Sequence, residues 1–223
     1  MWHSVNMSGH IETSSGDSND EVTVLPWWQN PMNFIALGVA TLVLGAGVGY
    51  AIGHSSATPD HNSVDIGFMQ DMRYHHDQAV QISYHYLTKT EAPEPRISML
   101  AEEILFSQQL ENGRMIQLLR DFGASEANDT GTAMAWMGMA VPIEQMTGLA
   151  TDDELGTFAA ADGDEAAREF ATLMIAHHEG GIHMAEYVID HGASPDVRRM
   201  AESMVKGQTA EVAELKALLD GLG

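Results

Sequence analysis

The sequence predicts an all-α protein, with one helix long enough to cross a membrane and then an antiparallel four-helix bundle made of two copies of a helical hairpin. Three observations carry this. Residues 22–59 contain no Asp, Glu, Lys or Arg. Two segments about a hundred residues apart share a spaced set of like residues. Beyond residue 63 the apolar residues recur at helical spacing, without strand-like alternation.

The elements follow in chain order. Residues 1–33, rich in Ser, Asn, Gly and acids, read as a disordered tail. The twenty-residue run "FIALGVATLVLGAGVGYAIG" at 34–53 is sufficient to span a bilayer, with Trp27, Trp28 and Tyr50 near its ends, where aromatic belts form. The residues before it lack Lys and Arg, so the positive leader of a cleaved signal peptide is missing and an uncleaved anchor is expected. With no basic residue on either flank before Arg73, charge does not set its orientation. Gly45 and Gly49 form a small-xxx-small pair through which two anchors could dimerise. Residues 54–63 then serve as a linker.

The bundle occupies 64–223, with repeats at about 64–123 and 164–223 and a methionine-rich connector at 124–163. Phe68, Met72, His75, His76, Asp77, Ala79 and Val80 match Phe170, Met174, His177, His178, Glu179, Gly181 and Ile182 at an offset of 102. Ile97, Ala101, Glu102, Gln108, Glu111 and Leu118 match Val197, Ala201, Glu202, Gln208, Glu211 and Leu218 at an offset of 100. Each copy reads as two helices, 64–90 and 95–122 in the first, 164–191 and 195–221 in the second. Ser194-Pro195 fits a helix start, Gly123 and Gly192 fit helix ends, and Thr151 with Glu154 makes a capping box for a short extra helix.

Composition narrows the function. Against 32 acidic residues stand 10 basic ones, a formal charge of −22, which leaves no basic patch for nucleic acid. There are no cysteines, so disulfides and thiolate metal sites are excluded, and a soft metal would be bound by methionine and histidine.

At about 100° per residue, the first helix of each copy carries an apolar stripe centred on Met72 or Met174, with the paired histidines flanking it. Asp77, Glu179 and His183 fall on the solvent side. The second helices place Gln108 and Glu111, or Gln208 and Glu211, on their own apolar stripes. A hairpin turn near 92 sets residue 75 opposite about 110, and one near 193 sets 177 opposite about 209. The expected result is a buried layer of four His, two Glu, two Gln and two Met. Imidazole and thioether together suit copper(I) or silver(I). The alternatives are a polar layer that only fixes helix register and catalysis through the carboxylates. In the connector, Met134, Met137, Met139 and Met146 surround Trp136, which reads either as thioethers and a cation–π face for one soft cation or as flexible gap-fillers.

The Phe-x3-Met-x2-His-His-x2-(Ala/Gly) motif, the Ala-Glu…Gln-x2-Glu helix and the Trp-Met-Gly-Met connector resemble the family called domain of unknown function 305, over about 65–223. The resemblance implies a ferritin-like fold, export or membrane anchoring with the helical domain outside the cytoplasm, and copper or silver binding through Met72, His75, His76, Met174, His177 and His178. A ferritin-like fold also raises a di-iron oxidase, but that pattern needs Glu-x-x-His, which the chain lacks. No catalytic constellation is recognisable. The expectation is a membrane-anchored, non-enzymatic protein that buffers or resists soft metals, with a structural or interaction module as the alternative.

Overall fold

The computed structural model describes residues 26–55, 59–89 and 94–222. The chain divides into two compact units, residues 1–57 and 58–223. In the first, α1 (Pro31–Ser55) is exposed over residues 31–53, and Pro31–Gly53 is long and apolar enough to cross a membrane. Residues 27–29 and 31–33, assigned to the tail from sequence, are helical. Trp27–Gln29 forms a 3-10 turn and the helix begins at Pro31. Asn30 Oδ1 accepts from Met32 N, and proline at the first helical position is already set to helical φ. Residues 1–25 of that tail lie outside the described residues, as do 56–58 of the linker and 90–93 of the first turn.

The second unit contains α2 (Ser63–Leu87), α3 (Pro95–Asp121), the short α4 (Asp152–Ala160), α5 (Gly163–His191) and α6 (Pro195–Gly221). Their ends follow local chemistry. Asn62 and Asp65 form a capping box at the start of α2, and Thr151 and Glu154 form the expected one at α4. Glu94 and Ser194 accept from the backbone N–H groups of Ile97 and Val197, each followed by a proline at the first helical position. Gly123 closes α3 in the left-handed region at φ 69°, with Ala124 N donating to the Leu119 carbonyl. Gly192 ends α5 differently. Its backbone is extended, and glycine is required because an added Cβ would stand 2.6 Å from Asp65 Oδ1.

The four long helices pack as α2 on α3, α5 on α6, α2 on α5 and α3 on α6. Two apolar clusters fill the space between them. One joins the first half of α2 (Phe68, Met69, Met72) to the end of α3 (Met115, Leu119), the end of α5 (Met184, Val188) and the start of α6 (Val197, Met200, Met204). The other joins the end of α2 (Ile82, Tyr86) to the start of α3 (Ile97, Leu100, Ile104), the start of α5 (Phe170, Met174), Leu215 of α6 and Phe158 of α4. Because the first half of α2 shares a cluster with the last half of α5, the two His-His helices run in opposite directions. Their histidines fall between the clusters.

The connector is fastened to α2 at two places. Asp71, 1% exposed, accepts from Met134 N at 2.7 Å, Trp136 Nε1 at 2.8 Å and Asn128 Nδ2 at 2.7 Å. Two turns later Gln78 makes a paired bond with Ala150, donating to its carbonyl at 2.9 Å and accepting from its N–H at 2.7 Å. Between these ties lies a short ladder of β1 (Thr132–Ala133) and β2 (Val141–Pro142). At the end of α5, buried Asp65 accepts from Ala193 N and Ser194 N, both at 3.0 Å, and so holds the α5–α6 turn against the start of α2.

Candidate metal centre

The hairpin register expected from sequence is the one observed. His76 Nε2 donates to Glu111 Oε2 at 2.8 Å, and His178 Nε2 donates to Glu211 Oε2 at 2.6 Å. All four histidines are 0% exposed, and Gln108 and Gln208 are 2% and 4% exposed. The glutamates depart from the expected buried layer. Their side chains are 19% and 22% exposed, so each carboxylate reaches water while its imidazole does not. That position avoids most of the cost of burying a charge.

At the centre, where α2 crosses α5, the rings of His75 and His177 lie 3.7 Å apart and inclined by 36°. His177 Nε2 donates to the His75 backbone carbonyl at 2.9 Å. Burial is the main reason both groups titrate well below the usual histidine value of 6.5. For His75 the next cause is the charge of His177, followed by those of His76 and His178. For His177 it is the charge of His178. Both rings are therefore neutral at physiological pH.

These bonds fix which nitrogen is left over. Carboxylate and carbonyl oxygens only accept, so His76, His177 and His178 each spend their Nε2–H on one. When such a ring is neutral, as that of His177 is, Nδ1 carries the free lone pair. All three of those Nδ1 atoms are buried without a hydrogen-bond partner, as are both ring nitrogens of His75 and both polar atoms of Gln108 and Gln208. The Thr147 carbonyl favours a proton on His75 without meeting hydrogen-bond geometry. Each such orphaned atom costs about 1–3 kcal/mol. Nine such atoms lie in this layer.

Glycines let other groups approach this layer. An added Cβ at Gly181 would stand 2.6 Å from Gln208 Oε1 and 3.2 Å from His75 Cε1. One at Gly180 would meet the Thr147 carbonyl oxygen at 2.5 Å, and one at Gly148 would meet His75 Nε2 at 3.0 Å. The connector thus lies directly over the central pair.

The methionines are placed unevenly. Met72 and Met174 are both fully buried but belong to opposite clusters, one on each side of the histidine layer. Met134, Met137 and Met146 point into the cluster that holds Met72, whereas Met139 is 50% exposed. Trp136 is pinned by Asp71 against Phe68 and Tyr187 and packs on the cluster that contains Met134, Met137 and Met146. As expected, Asp77, Glu179 and His183 are exposed. Among the described residues, no group of three His, Asp or Glu side chains is close enough to hold a metal ion.

Sequence reasoning missed Asp65, Asp71 and Gln78. Each is a polar residue on a helix without a counterpart in the other copy, where Ala167, Leu173 and Gly180 stand. That mismatch was the available signal.

The fold and its His-His layer define a class of small helical proteins, and comparison with known proteins identifies it. The family model described as Domain of unknown function (DUF305) matches residues 65–219, and the chain belongs to that family. Among solved structures it is similar to a DUF305 protein from Streptomyces coelicolor, at 33% identity and a TM-score of 0.65, covering 72% of this chain and 94% of that one. A DUF305 fragment from Deinococcus radiodurans matches at 25% identity and a TM-score of 0.62, covering 73% of this chain and 99% of that one. CopM in its Cu(I)-bound form matches at 25% identity and a TM-score of 0.52, covering 70% of this chain and 96% of that one. A comparison with curated proteins gives no match.

Proposed function

We propose that this chain is a membrane-anchored envelope protein that binds copper(I) or silver(I) through histidine and methionine, for metal buffering or resistance. In this reading α2, α3, α5 and α6 form an antiparallel, ferritin-like four-helix bundle of two repeated hairpins (64–123 and 164–223). Residues 34–53 hold it at the membrane, and the bundle lies outside the cytoplasm. The observation that carries the reading is the set of buried Nδ1 atoms of His76, His177 and His178 that make no hydrogen bond. Each is oriented by an Nε2–H bond to a carbonyl or carboxylate, the arrangement by which proteins prepare imidazole as a metal ligand. His75 lies in the same layer, with Met72 and Met174 on either side, and since no three of these histidines are gathered closely enough to hold one ion, binding would draw them together. Similarity to CopM, solved with Cu(I), supports the choice of metal. The absence of cysteine suits a compartment where thiols would be oxidised.

The test is titration of the full chain in detergent with Cu(I), Ag(I), Cu(II), Zn(II) and Fe(II). Stoichiometric, preferential binding of Cu(I) and Ag(I) is expected, and their failure to bind would overturn the reading. A second reading, that the layer only fixes helix register, is favoured by the closed His76–Glu111 and His178–Glu211 pairs. It requires that no metal bind at all.

A further inference from the structure

A short piece of backbone at Thr147–Gly148 lies against His75 and also lines a cavity. A cavity of about 400 Å³ is lined by Thr147, Gly148, Ala150, Glu154, Glu179 and Gly180, among others. Gly148 sits in the left-handed region at φ +86°, and an added Cβ there would stand 3.0 Å from His75 Nε2. The Gly148 backbone therefore separates the cavity from a fully buried imidazole nitrogen that makes no hydrogen bond.

We propose that Thr147–Gly148 is the door to the central histidines, and that soft monovalent cations reach His75 through the Glu154/Glu179 cavity when this segment lifts from α5. The inference rests on the metal-binding reading and adds a route to it. The hinge hardware is visible. The segment rests on Gly180, where any side chain would collide with the Thr147 carbonyl and the Gly148 Cα, at 2.5 and 2.6 Å. On its C-terminal side it is tied down by the two Gln78–Ala150 bonds. The cavity also favours cations. Glu179 pairs with Lys216 through Oε1 at 2.7 Å, and Glu154 accepts from Thr151 through Oε2. The other oxygen of each carboxylate makes no hydrogen bond given by the structure and is available to a passing ion.

Two variants loosen the door by different means. Gly180→Ala pushes the segment off the helix by steric contact. Gln78→Ala removes its tie and adds no bulk, and the hydrogen bonds given for Gln78 are those to Ala150 and none to a histidine, so this variant keeps the test valid if Gly180→Ala folds poorly. Gly207→Ala, with open space around the added Cβ, is the control. With the full chain in detergent, stopped-flow mixing with Ag(I) gives the loading rate, and diethyl pyrocarbonate labelling read by peptide mass spectrometry gives access to His75 without any metal. The expected result is at least fivefold faster loading and faster His75 labelling in both loosened variants, with unchanged Ag(I) stoichiometry and an unchanged control. Unaltered labelling and loading in Gln78→Ala would overturn the proposal. If the wild-type chain takes up no Ag(I), the metal reading fails instead, and the labelling rates still decide whether this segment is the door.

Discussion

The two ends of the helical domain are built on matched sequence positions and differ in chemistry. The cluster at one end contains nine methionines, and the cluster at the other contains Met174 alone. The difference is systematic. Met184, Met200 and Met204 stand where the other copy has Ile82, Leu100 and Ile104, and Met115 stands where the other copy has Leu215. Since α2 and α5 run in opposite directions, substitutions scattered over α3, α5 and α6 converge in space. The aliphatic end shows that leucine and isoleucine fill such positions, so packing alone does not demand methionine. The connector adds Met134, Met137 and Met146 to the same end. A thioether-rich end beside a histidine layer is what a soft cation would prefer.

The comparison can be broken at its centre first. Replacing His75 and His177 together by alanine removes the stacked pair between the two ends. Competition titration should show at least a hundredfold loss of Ag(I) affinity, about 2.7 kcal/mol. A smaller loss, at least tenfold or about 1.4 kcal/mol, is expected for His76→Ala with His178→Ala. The same pair should lower stability by only about 1–2 kcal/mol per site in urea melts, because Glu111 and Glu211 keep contact with water. A register-only layer would give the stability loss with no metal phenotype to measure.

The methionine end is tested by exchanging chemistry at constant volume. Met115→Leu, Met184→Leu, Met200→Leu and Met204→Leu together make it resemble its counterpart. Each should cost less than about 1.5 kcal/mol, while the number of Ag(I) ions bound per chain should fall. Unchanged stoichiometry would assign these methionines to packing.

The smallest effect is on pH dependence. Burial lowers the His75 and His177 values below 6.5 in the folded state, so below that pH the unfolded chain binds more protons. The metal-free protein should keep constant stability above about pH 6.5 from these groups and lose it progressively as pH falls further. Denaturant midpoints between pH 4 and 8 read this directly, and a midpoint that rises on acidification would contradict it.

Much of this was legible in the sequence, for definite reasons. Helical period and cap residues located α5 and α6 within a residue, and hairpin turns near 92 and 193 brought Glu111 and Glu211 level with the paired histidines. What the wheel could not supply was crossing geometry. It put Met72 and Met174 in one layer, whereas the antiparallel crossing of α2 and α5 sends them to opposite ends. It also treated Glu111 and Glu211 as buried, since angular position does not show how close a residue lies to the domain edge. The connector could be read only as composition. Its placement depends on Asp71 and Gln78, two ties distant in sequence from the residues they hold.

In the metal-binding reading His76, His177 and His178 offer their unbonded Nδ1 atoms to a buried layer while Nε2–H stays bonded to Glu111, the His75 carbonyl and Glu211. Long-range ¹⁵N–¹H correlation spectra of histidine-labelled protein, recorded before and after addition of Ag(I), observe each nitrogen separately. The account predicts that His76, His177 and His178 are Nε2–H tautomers in the free protein and that their Nδ1 resonances move on Ag(I) addition while Nε2 keeps its proton. Nδ1–H tautomers, or ring nitrogens indifferent to Ag(I), would contradict it.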